Sequence, residues 1–420
     1  MRLLTGSAIL AALTLPAHAA TEAEVLETYA DIAEAAFGDA LKGAEALERT
    51  VEALVAEPSA EALERARAAW RAARVPYLQT EVFRFGNPMV DDWEGRVNAW
   101  PLDEGFIDYV DASGTAPSDA TDENPSAGLN VIANPVLTLS GAEIDAAEIT
   151  PALLRGTLHE ADGAEANVAS GYHAVEFLLW GQDLGPYDAT AGERPWTDFA
   201  RGEACTGGNC DRRGAYLLAA TELLVSDLAE MAEAWAEGGA ARADALGDPA
   251  GVSRILTGMG SLSYGELGGE RTQLGLLLND PEEEQDCFSD NTHNSHFYDG
   301  LGIRNVYFGR YVGTDGAVTE GPALSALVAG ADPAVDAALR DALDASVMRL
   351  TELKVAAEGG MPYDSMLDPA NEAGGALVQA VVDSLRDQTR EIERAVAALG
   401  RDPVTIEGSD SLDDPNAVFE

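Results

Sequence analysis

The chain reads as an all-α protein made of two helical bundles packed together. Three observations predict this. Long runs rich in Ala, Leu and Glu carry few β-branched alternations, a composition that favours helix over strand. Asp-Pro pairs recur ahead of apolar-periodic stretches. The two halves also repeat one plan, long helices followed by an aromatic, Glu and Arg cluster and then a long acidic loop, although they do not repeat a sequence.

Amphipathic periodicity marks helices at about 22–56, 60–84, 165–182, 211–238, 250–278, 333–358 and 370–399. Asp248-Pro249, Asp332-Pro333 and Asp368-Pro369 each set a capping acid before a proline suited to the first helical position, and Gly359 and Gly400 suit the opposite ends. Pro76 is expected to kink or reset the second helix. Residues 86–164 and 280–330 are rich in Gly, Pro, Asn and Asp and read as long irregular segments, which in a compact helical protein are more often functional than filler.

The first residues carry an address. Met1-Arg2, an apolar stretch from Ile9 to Leu15 and then Pro16-Ala17-His18-Ala19 have the layout of a cleavable secretory signal, so the mature chain is expected to begin near Ala20. No later apolar run approaches the roughly 20 residues that span a bilayer. The expectation is an exported, periplasmic protein without a transmembrane segment.

Charge narrows the partners. With 26 Lys and Arg against 73 Asp and Glu, the formal net charge is −47. Such a field repels nucleic acid and anionic membrane surfaces and draws in cations, though it equally describes a solvated acidic shell. Cys205 and Cys210 flank Thr206-Gly207-Gly208-Asn209, a tight glycine-containing loop that in an oxidising compartment reads as a disulfide. Cys287 is left as a free thiol.

The most informative stretch is Gly171-Tyr172-His173-Ala174-Val175-Glu176, inside an apolar helical run that continues to Trp180. An imidazole and a carboxylate three residues apart share a helix face and can reach one cation. Paired with each other or with an Arg, they would be equally satisfied. Tyr77, Glu81 and Arg84 follow i, i+4, i+7 spacing, and Glu266 and Glu270 follow i, i+4, so each set is expected on one face. Gly265, Gly268 and Gly269 weaken the helix there, by up to about 1 kcal/mol each, as expected where another backbone or a ligand comes close. The histidines of the second irregular segment, His293 and His296, suit a turn or cap as well as a ligand role, and His159 is assigned none.

Taken together these motifs resemble the imelysin family, specifically its iron-regulated periplasmic branch. The stretch Gly171 to Gly181 is similar to that family's Gly-x-His-x-x-Glu signature. The resemblance extends to Tyr77-Leu78-Gln79-Thr80-Glu81, to Asn98-Ala99-Trp100-Pro101-Leu102-Asp103, to Tyr264 through Arg271, and to Asp286-Cys287-Phe288-Ser289-Asp290-Asn291-Thr292-His293. It implies two four-helix-bundle-like domains, pseudo-duplicated, with a site at their interface, and bacterial iron or other metal acquisition as the setting. The boundaries expected are a signal peptide at 1–19, an N-terminal bundle at 20–247, a C-terminal bundle at 248–400 and a tail at 401–420.

Carried over by position, the resemblance implies a metal site of His173, Glu176 and Glu81. Tyr77, Arg84, Asp103, Glu266, Glu270, Arg271, Ser289, Asp290 and His293 are expected around it. One imidazole with carboxylates suits iron first, with zinc or copper as alternatives. The expected partners are a metal ion or metal chelate and a membrane-bound uptake partner. A zinc metallopeptidase is the alternative. It is disfavoured because neither His-Glu-x-x-His nor His-x-x-Glu-His occurs, Phe177 following Glu176 directly.

Overall fold

The computed structural model describes residues 20–110, 124–185, 187 and 190–419; the expected signal sequence lies outside the described residues. The fold is all-α. Helices of ten residues or more are numbered here α1 (Glu22–Ala56), α2 (Ala60–Leu78), α3 (Pro88–Asn98), α4 (Gly171–Trp180), α5 (Cys210–Trp235), α6 (Gly251–Ser261), α7 (Thr292–Phe308), α8 (Pro333–Glu358) and α9 (Glu372–Ala398). Two short antiparallel hairpins, Val136–Leu139 with Ala142–Asp145 and Arg310–Val312 with Val318–Glu320, decorate them.

α1 begins where Thr21 and Glu24 satisfy each other's backbone N–H in a capping box. Its apolar stripe packs between α2 and α5. There Phe37 stacks on Trp235 at 6.3 Å and Tyr29 meets Phe83 at 4.7 Å. In the second half α8 and α9 pair with each other and with α7 and the segment after α6. One apolar cluster runs through both groups. α4 lies against α2, α3 and α5, while α7 crosses the end of α2. A Cβ at Gly302 would sit 2.8 Å from the Gln79 carbonyl, so glycine sets how near these two helices come.

Several boundaries differ from the sequence reading, each for a local reason. α2 stops at Leu78 because Gln79 Nε2 and Thr80 Oγ1 donate to the Val75 and Tyr77 carbonyls, and Glu81–Phe83 is a separate 3₁₀ turn. Pro76 therefore sits in the last turn and interrupts nothing beyond it. Tyr77, Glu81 and Arg84 do not share one continuous helical face. The expected helix over 250–278 is α6 followed by a π-helix, Leu262–Gln273, and a last turn, Leu274–Leu278. Asp332 caps α8 as expected. Asp368 instead shapes the turn before Asn371, which caps α9, and α6 begins at Gly251 rather than beside Asp248-Pro249. α3 and α7 lie in segments expected to be irregular. α7 escapes periodicity because Thr292, His293, Ser295, His296, Asp299 and Asn305 are buried along with its apolar residues, so no polar stripe is left to read.

Candidate metal centre

α4 opens at Gly171, whose φ of +87° belongs to the left-handed region and whose Cβ would lie 2.6 Å from the Val97 carbonyl. Only glycine lets the helix start this close to α3. The other end is held by Arg67, which donates to the Leu179 carbonyl at 3.0 and 3.2 Å, and by the Arg194 N–H, which donates to the Trp180 carbonyl at 2.7 Å. A cation at a helix C-terminus also meets the negative end of its dipole. Between these anchors every residue of α4 is buried, His173 and Glu176 completely.

His173 Nδ1 and Glu176 Oε2 lie 3.0 Å apart and share one hydrogen bond. Glu176 Oε1 accepts from the Ser289 N–H at 3.0 Å and the Ser289 hydroxyl at 2.6 Å. The third member comes from the loop before Ser289: Asp286 Oδ1 is 3.9 Å from His173 Nδ1. Among the described residues, His173, Glu176 and Asp286 are the histidine, cysteine and acidic side chains that converge, each offering a ligand atom within 4.8 Å of the others. Arg74 of α2 donates to Asp286 Oδ1 at 2.7 Å and to Asn98 at 2.6 Å. Asn291, at 2.9 Å, and the Ser295 hydroxyl hold the other Asp286 oxygen.

Burial dominates the proton affinities. It pushes the His173 imidazole down to about 3, with the Arg74 charge adding to the effect, so the ring is neutral. Burial and then the neighbouring Asp286 charge push the Glu176 carboxyl well above its usual range, against the Ser289 hydrogen bonds. Burial, the largest influence, would raise Asp286 too, but the Arg74 charge together with His173 and the Ser295 and Asn291 hydrogen bonds holds that carboxyl below the usual range. The set is thus a neutral imidazole, a carboxyl that keeps a proton while no cation replaces it, and a carboxylate balanced by Arg74. His173 Nε2 is buried without a hydrogen-bond partner among the described residues.

The structure brings together some of the residues expected at the site and parts others. His173, Glu176 and Ser289 meet. Glu81 does not join them as the acidic partner: Arg271 holds it at 2.7 Å, and Asp286 takes the position expected of it. Arg271 also binds Glu266 at 2.8 Å and Asp299 at 2.8 Å. Arg84 lies 3.5 Å from both Glu94 and Glu266 and 2.9 Å from Asp91. These groups form a second ionic network that flanks the first, buried at Glu81, Arg271 and Asp299 and reaching solvent at Arg84, Glu266 and Asp91. Tyr77 lies between the two, its ring 4.8 Å from Tyr172 and 5.7 Å from the Arg74 guanidinium. Asp103 is elsewhere, bound to Asn124 at 2.6 Å. Glu270 belongs to the contact with the C-terminal segment. Asp290 turns the chain after Ser289 in a left-handed conformation, φ +51°. His293, pushed down by burial to about 4, bonds Asn294 at 3.0 Å.

Arg74, Asp286 and Asp299 had no periodic signal, since their partners are up to 212 residues away. An Arg on the apolar face of α2 and the place of Asp286 at the head of the Asp286–His293 motif were the available hints. Cys205 and Cys210 are joined, their Cα atoms 6.0 Å apart, and Cys287 is a free thiol.

The family model described as Imelysin, a peptidase family by name, matches residues 33–392. The chain belongs to the imelysin family. A solved structure described as an iron-regulated protein A precursor from Parabacteroides distasonis has a TM-score of 0.61 at 16% identity, covering 91% of this chain and 97% of that one. An imelysin-like protein from Psychrobacter arcticum has a TM-score of 0.53 at 16% identity, covering 91% and 98%. Both show the shared all-α fold. Iron-regulated protein A of Synechococcus elongatus is 41% identical over 61 residues, which is 14% of this chain and 17% of that relative's length. This imelysin-family chain is therefore related to proteins named for iron regulation.

Proposed function

We propose that this protein binds a metal ion through His173, Glu176 and Asp286 and serves as an exported binding component of bacterial metal acquisition, with iron as the first candidate and zinc or copper next. The observation that carries this reading is the convergence of one nitrogen and two carboxylate ligands on a single buried point. Ser289 fastens the far oxygen of Glu176, and Asn291 and Ser295 fasten that of Asp286. Support from behind is what orients ligating side chains. Asp286 Oδ1 gives one lone pair to Arg74 and has a second for an ion. Such a set of harder ligands suits iron, zinc or copper better than a thiolate metal would require.

Binding is favoured over peptide hydrolysis by burial. His173, Glu176 and Asp286 are each 0% exposed, whereas a hydrolytic centre needs a coordination position open to water and substrate. The candidate bases are also engaged, Glu266 by Arg271 and Glu270 by Ser409. Export and a membrane-bound uptake partner belong to the same proposal, supported by the signal-like first 19 residues. No helix among the described residues is long and apolar enough to cross a membrane.

Elemental analysis and calorimetry with iron, zinc and copper on the purified mature protein test the reading. One equivalent is expected to bind, and His173→Ala and Asp286→Asn are expected to lose it with helical content intact. Undiminished affinity in both variants would refute the assignment. Chelator-sensitive cleavage of unfolded protein by the wild type would favour the peptidase alternative.

A further inference from the structure

Past the end of α9 at Ala398 the chain turns at Gly400 and runs back along the π-helix Leu262–Gln273. Contact is closest at the glycines. A Cβ at Gly260 would lie 2.8 Å from Ile406, and one at Gly265 would lie 2.6 Å from the Glu407 carbonyl and 3.0 Å from that of Gly408. A Cβ at Gly269 would collide with the Ser409 side chain. The Glu407 N–H donates to Ser261 Oγ at 3.1 Å and Tyr264 donates to Asp413 at 2.8 Å. These glycines therefore form the bed in which segment 404–413 lies, and they account for so much glycine in a helix.

The bed leads to the buried networks. Arg84 and Glu266, 23% and 21% exposed at the side chain, are the wet end of a network whose inner members, Glu81, Arg271 and Asp299, are sealed at 2% or less. Glu407 faces this end, with Asp91, Arg84 and Glu266 as its charged neighbours. Glu270, beside the strap, faces Glu266 and Asp410. Acid thus opposes acid around Glu407 and Glu270, while the attractive contacts are Arg84 beside Glu407, an Arg401–Glu22 ion pair where the segment begins, and Arg386 and Arg390 near the Tyr264–Asp413 bond; between these the segment is held by close packing and a few hydrogen bonds. The π-helix beneath it is an uncommon conformation of the kind found at functional sites. A one-residue change of register on a helix swings a side chain by about 100°, and Arg271, the residue gripping Glu81 and Asp299, lies in this stretch.

We propose that residues 401–413 are a releasable strap that closes the solvent end of the Glu81–Arg271–Asp299 network and holds the π-helix in the register that places Arg271. With the strap lifted, the helix is free to shift, Arg271 loosens its hold on Glu81 and Asp299, and the interior around His173 and His296, a buried neighbour of Arg271 and Asp286, opens to solvent. This does not depend on whether a metal occupies the centre.

The test uses metal-free, chelator-treated protein: the full mature chain, a chain ending at Gly400, and full-length Gly269→Ala, whose added methyl displaces Ser409. Diethyl pyrocarbonate modification of His296 and His173 is followed by peptide mass spectrometry, alongside hydrogen exchange over 261–273 and 404–413. Both altered proteins are expected to keep their helical content and to modify His296 at least about tenfold faster, with faster exchange over 261–273, as local opening requires. Should the truncated chain fail to fold, Gly269→Ala carries the comparison. Raised exchange over 404–413 in Gly269→Ala with unchanged histidine modification would overturn the strap's closing role. A wild type that binds no metal would sink the metal reading and leave this result standing.

Discussion

Arg74 donates to Asp286 at 2.7 Å with 1% and 0% of the two side chains exposed, joining α2 to a loop 212 residues further along the chain. The bond is the largest of the contacts that favour the charged form of this carboxylate against its burial. It also delivers that carboxylate to the face of α4 that carries His173 and Glu176.

Removing one partner of a sealed ion pair leaves an uncompensated charge, so Arg74→Met should destabilise the fold by about 3–5 kcal/mol. Arg74→Met combined with Asp286→Asn should recover much of that loss. Urea unfolding at neutral pH measures both, and equal losses in the single and double variants would show that the pair is not coupled as described.

Gly171→Ala should destabilise by about 2–4 kcal/mol, because the new methyl meets the Val97 carbonyl at 2.6 Å in a backbone conformation that side chains resist. The variant is expected to lower the melting temperature and weaken metal binding together. A neutral effect on stability would mean that α4 can start further from α3.

Glu94 supplies a pH test. Burial raises its carboxyl from 4.5 to about 7, opposed first by Arg84 and reinforced by Glu81 and Glu266. The folded state therefore prefers the protonated acid. That contribution is complete below about 4.5 and is lost as pH climbs through about 7. Glu94→Gln should match wild type near pH 4 and exceed it by roughly 2–3 kcal/mol at pH 8. Parallel stability curves for the two proteins from pH 4 to pH 8 would contradict the burial of that charge.

The disulfide closes a short loop, with a sequence separation of 5, so its reduction should cost about 2 kcal/mol or less. Denatured, unreduced protein should titrate one thiol, Cys287; a count of three would reject the bridge.

Local chemistry was legible in the sequence, and partnerships were not. α1, α5, α8 and α9 follow from apolar periodicity, and α8 from its Asp332 cap as well, because those signals act over one or two turns. The shared face of His173 and Glu176 follows from three-residue spacing on one helix. Glu81 illustrates the limit. Expected as the third ligand, it is held by Arg271 in the neighbouring network, and Asp286 stands in the place meant for it. Glu81 leaves the face of Tyr77 because α2 ends at Leu78, a boundary set by hydrogen bonds from Gln79 and Thr80 that no apolar pattern records.

By itself, then, the sequence determined the helical class, the strong acidity, the glycine cluster of residues 265–269 and the His173–Glu176 pair. All of these are properties of composition or of residues within a few turns of one another. Only the tertiary structure decided which carboxylate faces that pair, that a second ionic network adjoins it, and that the glycines receive the chain's own C-terminal segment. Those outcomes depend on contacts between residues more than a hundred positions apart. Burial, which makes each unpaired charge expensive, selects the partners there, and no local pattern encodes it.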